Sequence, residues 1–192
     1  LNAQQANERK PSQSAVVSPQ PPAGRNRFAI AAWVFLRLLG LVHLVAFISF
    51  WIQLDGLVGP DGLLPATRFF AVVREQLGST AWWQLPSLCW IFGAGRFLHV
   101  LCASGVLCSL LLFAGVAPAI CLFLLWLSYL SLSCAGQIFF NFQWDTLLLE
   151  TTLLAVFLSP WSLLPLWRLH EPPRLASLAL WWILFRLMFL AG

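Results

Sequence analysis

Charge is what this sequence has least of. Only 9% of its 192 residues are Asp, Glu, Lys or Arg, against about 25% in an ordinary soluble domain. Hydrophobic residues make up 60%, so no polar exterior is left to cover a water-soluble core. That excludes a soluble globular domain and implies an integral membrane protein whose first partner is the lipid bilayer. Ligand and nucleophile patterns are missing too. The five cysteines (Cys89, Cys102, Cys108, Cys121, Cys134) form no CxxC or Cys/His spacing, and four lie in apolar runs, where cysteine acts as a small hydrophobe. There is no GxSxG, no Gly-rich phosphate loop, and no nucleophile with a base beside it. The residues therefore imply no metal, no cofactor and no catalytic group. The net charge of +4 is not a nucleic-acid footprint, because Arg9, Lys10, Arg25 and Arg27 gather in the N-terminal tail and read as a membrane-orientation signal.

What is there is an all-α pattern, a polytopic membrane helix bundle of about five transmembrane helices plus an interfacial helix. Residues 1–27 are polar, rich in Pro, Gln, Ser and Ala, and without periodicity, which predicts a disordered tail. The first span is expected at 28–52. The apolar stretch 97–136 is twice what one crossing needs, and GVAP at 115–118 divides it into spans at 97–115 and 118–136. Further spans are expected at 145–164 and 175–192. Between the first two spans, 53–96 reads as an external loop. Within it, Phe69, Phe70, Val73 and Leu77 share one side at helical spacing, opposite Arg68, Glu75 and Gln76, as in a helix lying in the interface. WWQLPSLCWIF, interrupted by Pro86, is half a span long and should be interfacial or re-entrant. Arg9, Lys10, Arg25, Arg27, Arg168 and Arg174 outnumber Arg68, Arg74 and Arg96, which places the N-terminus on the cytoplasmic side. The chain begins at Leu1 and stops at Gly192 directly after an apolar run, so it is expected to be part of a longer protein.

A charged side chain at mid-bilayer costs at least about 2.5–3.5 kcal/mol, yet Arg37, Glu150 and Arg186 fall inside expected spans and Asp145 at the mouth of one. Counted from the outer surface, Glu150 lies about 7 Å deep, His43 about 8 Å and Arg186 about 13 Å. They share a level, so a Glu150–Arg186 pair, with His43 beside it, would offset each charge's desolvation. Two roles are open for such a pair, a structural clasp between the last two spans or a proton or ligand site. Asp145 and Glu150 stand about 140° apart around a helix, which argues against a two-carboxylate acid/base pair. His99, just inside a span, reads as a hydrogen-bonded interfacial histidine. Asn141, Gln143, Trp144 and Asp145 suit either a helix cap with an aromatic anchor or a contact surface.

Three stretches carry a resemblance: 35–66, 124–160 and 181–192. The most specific is the F-x-W-[DE]-x-x-L-L-E-T block, here Phe142, Trp144, Asp145, Leu148, Leu149, Glu150 and Thr151. The chain from about residue 30 onward resembles the N-terminal membrane region of the lipase maturation factor family. Where that family usually has Gly-Phe after Glu-Thr, this chain has Thr152 and Leu153. The resemblance implies a multi-pass endoplasmic reticulum membrane protein that assists folding and assembly of secreted lipases. It also implies a C-terminal lumenal domain absent from this chain, or the inner membrane if the source is bacterial. The expected function is a non-enzymatic maturation factor. The alternative is a membrane enzyme of the vitamin K-dependent carboxylase-like bundle type, using His43, Glu150 and Arg186. A transporter fits less well, for want of an internal repeat or paired broken helices.

Overall fold

A buried stripe at 3- and 4-residue spacing runs down the first helix: Leu39, His43, Phe47, Phe50, Leu54 and Val58. That spacing holds one face against a neighbour over the whole length. In the computed structural model, which describes residues 25–159 and 174–191, this helix is α1, Arg25–Val58. It is longer than the expected 28–52 at both ends. It takes residues 25–27 from the tail, whose other residues lie outside the described set. It also takes Gln53–Val58 from the expected loop, because Leu54 and Val58 continue the buried stripe. It ends only at Gly59, where Gly59, Leu63 and Leu64 N–H groups donate to the carbonyls of Leu54, Gly56 and Leu57 at 3.1, 3.0 and 2.9 Å.

The partner of this stripe is α5, Phe97–Ala114. Gly105 makes the fit: a Cβ there would overlap the Phe47 ring, so its absence lets the ring lie on the α5 backbone. Gly40 allows a close approach from the other side: a Cβ there would stand only 3.3 Å from the Ser109 carbonyl oxygen and the Phe113 nitrogen. At the expected GVAP break, Gly115 takes a left-handed conformation (φ 85°) and closes α5, and Pro118 opens α6, Pro118–Gly136. Pro at this position gives up only an N–H that a helix start leaves unpaired anyway.

The segment between α1 and α5 folds as α2, Ala66–Leu77, and two short helices, α3, Ala81–Gln84, and α4, Cys89–Phe92. α2 buries Ala66, Phe70 and Val73, close to the expected apolar side, with Phe69 and Leu77 partly buried. Phe70 meets Trp90 edge to face at 4.8 Å, and the Arg74 guanidinium lies 5.7 Å from the Trp90 ring centre. Pro86 separates α3 from α4, and the Ser131 hydroxyl of α6 accepts the Leu88 N–H at 3.0 Å.

After a single 3₁₀ turn come α7, Gln143–Leu158, packed on α6, and α8, Arg174–Ala191, packed on α7. Ile30–Val58, Phe97–Ala114 and Pro118–Phe140 are long and apolar enough to cross a membrane. The expected count of five thus stands at three among the described residues. α7 has 16 residues, about 24 Å of helix against a hydrocarbon core of about 30 Å. The rest of its expected span, 160–164, lies outside the described residues.

Candidate functional site

α7 carries both carboxylates that the sequence placed against a leucine run, and it sends them to different neighbours. Phe142 is its N-cap residue, extended at φ −103° and ψ 151°, and no side chain caps the helix. Asp145 therefore does not take the cap role that its first-turn position suggested. It turns inward, only 8% exposed, and accepts a hydrogen bond from the Tyr129 hydroxyl of α6 at 2.7 Å. Its neighbours Asn141, Phe142, Gln143 and Trp144 are exposed, and the Phe142 and Trp144 rings stack at 4.9 Å as one aromatic plate. Tyr129 is the chain's single tyrosine; a lone phenol in an otherwise apolar span was the signal available in the sequence.

Five residues further on, Glu150 points the other way. It receives the Arg186 guanidinium of α8 in an ion pair, both side chains roughly two-fifths exposed at 36% and 41%. Thr151, on the remaining side, lines a groove beside α1.

His43 does not join this pair. Its rotation about α1 turns it toward Tyr129, at 6.0 Å between rings, and Thr152. Thr152 stands two residues beyond Glu150, about 200° around α7, which is why a shared level does not become a shared site. The His43 ring is fully buried. Its Nδ1 lies 3.0 Å from the Leu39 carbonyl, and a carbonyl can only accept, so Nδ1 carries the proton and Nε2 is left as an acceptor. The Thr152 hydroxyl lies 3.2 Å from Nε2 and 2.6 Å from the Leu148 carbonyl, with one proton to divide between them. Thr152, where the resembled family usually has glycine, thus makes the polar link between α7 and α1.

Arg37 pairs with no carboxylate among the described residues. Its guanidinium donates to the Leu112 carbonyl in the last turn of α5 and lies 5.1 Å from the Trp33 ring centre. A cation at a helix C-terminus meets the negative end of the helix dipole, and here it shares the Leu112 carbonyl with the capping Gly115 N–H at 3.0 Å. Gly115 makes room, since a Cβ there would overlap the guanidinium.

A further polar cluster joins the end of α1 to the start of α5. Trp51 Nε1–H donates to His99 Nδ1 at 3.1 Å, and His99 Nε2 stands 3.1 Å from Asp55 Oδ1. Because Nδ1 accepts, Nε2 carries the proton and donates to Asp55. The sequence marked His99 as hydrogen-bonded, but Asp55 was assigned to a loop, so its place one helical turn from Trp51 was missed. No group of three His, Cys, Asp or Glu side chains with metal-holding geometry occurs among the described residues.

The family model described as the lipase maturation factor transmembrane domain matches residues 30–192. The chain is 38% identical over 187 residues to lipase maturation factor 2 of Xenopus tropicalis, covering 88% of this chain and 25% of that protein. It is 37% identical to human lipase maturation factor 2 over 180 residues, with 83% and 25% covered. It is 35% identical to mouse lipase maturation factor 1 over 179 residues, with 86% and 30% covered. The chain thus spans about a quarter of the length of the first of these relatives. No solved structure matches it significantly.

Proposed function

The chain belongs to the lipase maturation factor family, and from that membership we propose that it is the membrane domain of a factor that assists folding and assembly of secreted lipases in the endoplasmic reticulum. The observation that carries the reading is the block from Phe142 to Thr151, whose two carboxylates serve helix packing. Asp145 ties α7 to α6 through Tyr129, and Glu150 ties α7 to α8 through Arg186. The block thus acts as a structural hub, which suits a scaffold that holds a client-binding region at the membrane. The excess of basic residues in the N-terminal and 160–174 segments supports a cytoplasmic N-terminus. In that orientation the segment from α2 to α4 and the exposed Phe142–Trp144 plate face the lumen, where a secreted client folds. His43 stands apart from Glu150 and Arg186, which weakens the alternative of a membrane enzyme built on those three.

The test uses the full-length protein in cells lacking their own copy. Secreted lipase activity per lipase molecule is compared for wild type and for Glu150→Gln/Arg186→Gln, with membrane levels measured alongside. The maturation reading expects wild type to restore activity and the neutral pair to retain most of it. A stable, correctly placed wild type that restores nothing overturns the lipase role. Loss of activity in the double variant at normal levels gives the pair a chemical role.

A further inference from the structure

Between α1 and α7 lies a groove of about 760 Å³, walled from Leu39 to Leu57 on α1 and by Leu148 and Thr151 on α7. Eighteen residues of helix rise about 27 Å, close to the thickness of the hydrocarbon core. Val42 and Val45 line the groove and are 51% and 61% exposed within a membrane-spanning helix, so it opens to lipid, not water. Its volume lies within the roughly 300–1,000 Å³ typical of small-ligand sites.

One wall residue does not match an apolar filling. Asp145 lines the groove and is only 8% exposed. Its Oδ1 takes the Tyr129 proton, while Oδ2 has no donor and no basic side chain in reach among the described residues. A buried carboxylate at the mouth of a membrane span is best stabilised by a counter-charge and hydrogen-bond donors together. A lipid hydroxyl supplies a donor without the charge. A quaternary ammonium supplies the charge without an N–H. A bare metal ion leaves the apolar length of the groove unfilled. A primary ammonium on an acyl-chain lipid satisfies all three demands.

We propose that this groove seats one bilayer phospholipid with a primary-ammonium headgroup, its ammonium on Asp145 and an acyl chain along the α1 wall. Trp144, exposed at the same mouth, offers its indole N–H to the phosphate. The site is independent of which client the protein serves.

The experiment measures lipid retention by native mass spectrometry on the full-length protein in mild detergent, with phosphatidylethanolamine and phosphatidylcholine of identical chains. Wild type retains the ethanolamine lipid roughly tenfold more tightly, the worth of one charge-assisted contact. Asp145→Asn brings the two lipids to parity. Tyr129→Phe, which leaves the carboxylate in place, keeps the preference, and so decides the matter if Asp145→Asn fails to fold. Ala46→Trp, which fills the α1 wall, loses both lipids. Equal retention of the two lipids by wild type overturns the proposal, as does a preference that survives Asp145→Asn. A photoreactive side chain at Val45 that captures polypeptide in cells, from a second copy or another segment of the same protein, overturns it too.

Discussion

The Tyr129 hydroxyl donates to Asp145 Oδ1 at 2.7 Å and so ties the middle of α6 to the first turn of α7. Both residues are buried, Tyr129 at 4% and Asp145 at 8% exposure. Hydrogen bonds between membrane helices are worth about 0.6–2 kcal/mol, and those to a charged group sit at the upper end. Tyr129→Phe keeps the ring contacts with Phe47 and Phe140 and removes only this bond. It is expected to lower stability by about 1–2 kcal/mol, read from unfolding in mixed micelles. A change below about 0.3 kcal/mol would mean that the bond contributes nothing.

The ion pair between Glu150 and Arg186 predicts an ordering. Glu150→Gln leaves Arg186 without its counter-charge, whereas Glu150→Gln/Arg186→Gln leaves no charge to compensate. The single change is expected to destabilise more than the double one, by about 1 kcal/mol; partial exposure of both side chains keeps it below the mid-bilayer cost. Thermal aggregation midpoints of the three proteins check this, and equal loss in both variants would contradict a clasp.

The Phe47 ring of α1 lies on the backbone of α5 at Gly105. Gly105→Ala should force the ring aside and cost about 1–3 kcal/mol, as overpacking does. Phe47→Leu added to Gly105→Ala should return part of that loss. A double-mutant cycle measures the coupling, and strict additivity would show that the two residues do not touch in solution.

The Trp51–His99–Asp55 chain holds the last two turns of α1 against α5. His99→Phe keeps bulk and removes both hydrogen bonds. Loss of about 1 kcal/mol of local stability should raise hydrogen exchange of amides 54–58 roughly fivefold while leaving α6 unchanged. Unaltered exchange at the end of α1 would assign its ordering to Leu54 and Val58 alone.

Much of this architecture was legible along the chain. The shortage of charge and the long apolar runs dictate helices in a bilayer, because an unpaired backbone group there has no water to turn to. Gly115 and Pro118 mark the α5–α6 turn, since one supplies a positive φ and the other cannot continue a helix. Counting 1.5 Å per residue brought Glu150 and Arg186 to one level, and the structure pairs them. The same counting brought His43 to that level, and there it failed.

Position along a helix axis is additive, so the sequence by itself determined the all-helical membrane class, the α5–α6 turn and the axial match of Glu150 with Arg186. Direction around each helix is not additive in that way. Every residue turns the side chain by about 100°, and the rotation is chosen by packing between segments far apart in the chain. Gly105 against Phe47, the Tyr129–Asp145 bond and the extension of α1 to Val58 are all products of that packing. Only the tertiary structure decided that His43 faces Thr152 instead of Glu150, that Arg37 closes the end of α5, and that Asp145 looks into a groove.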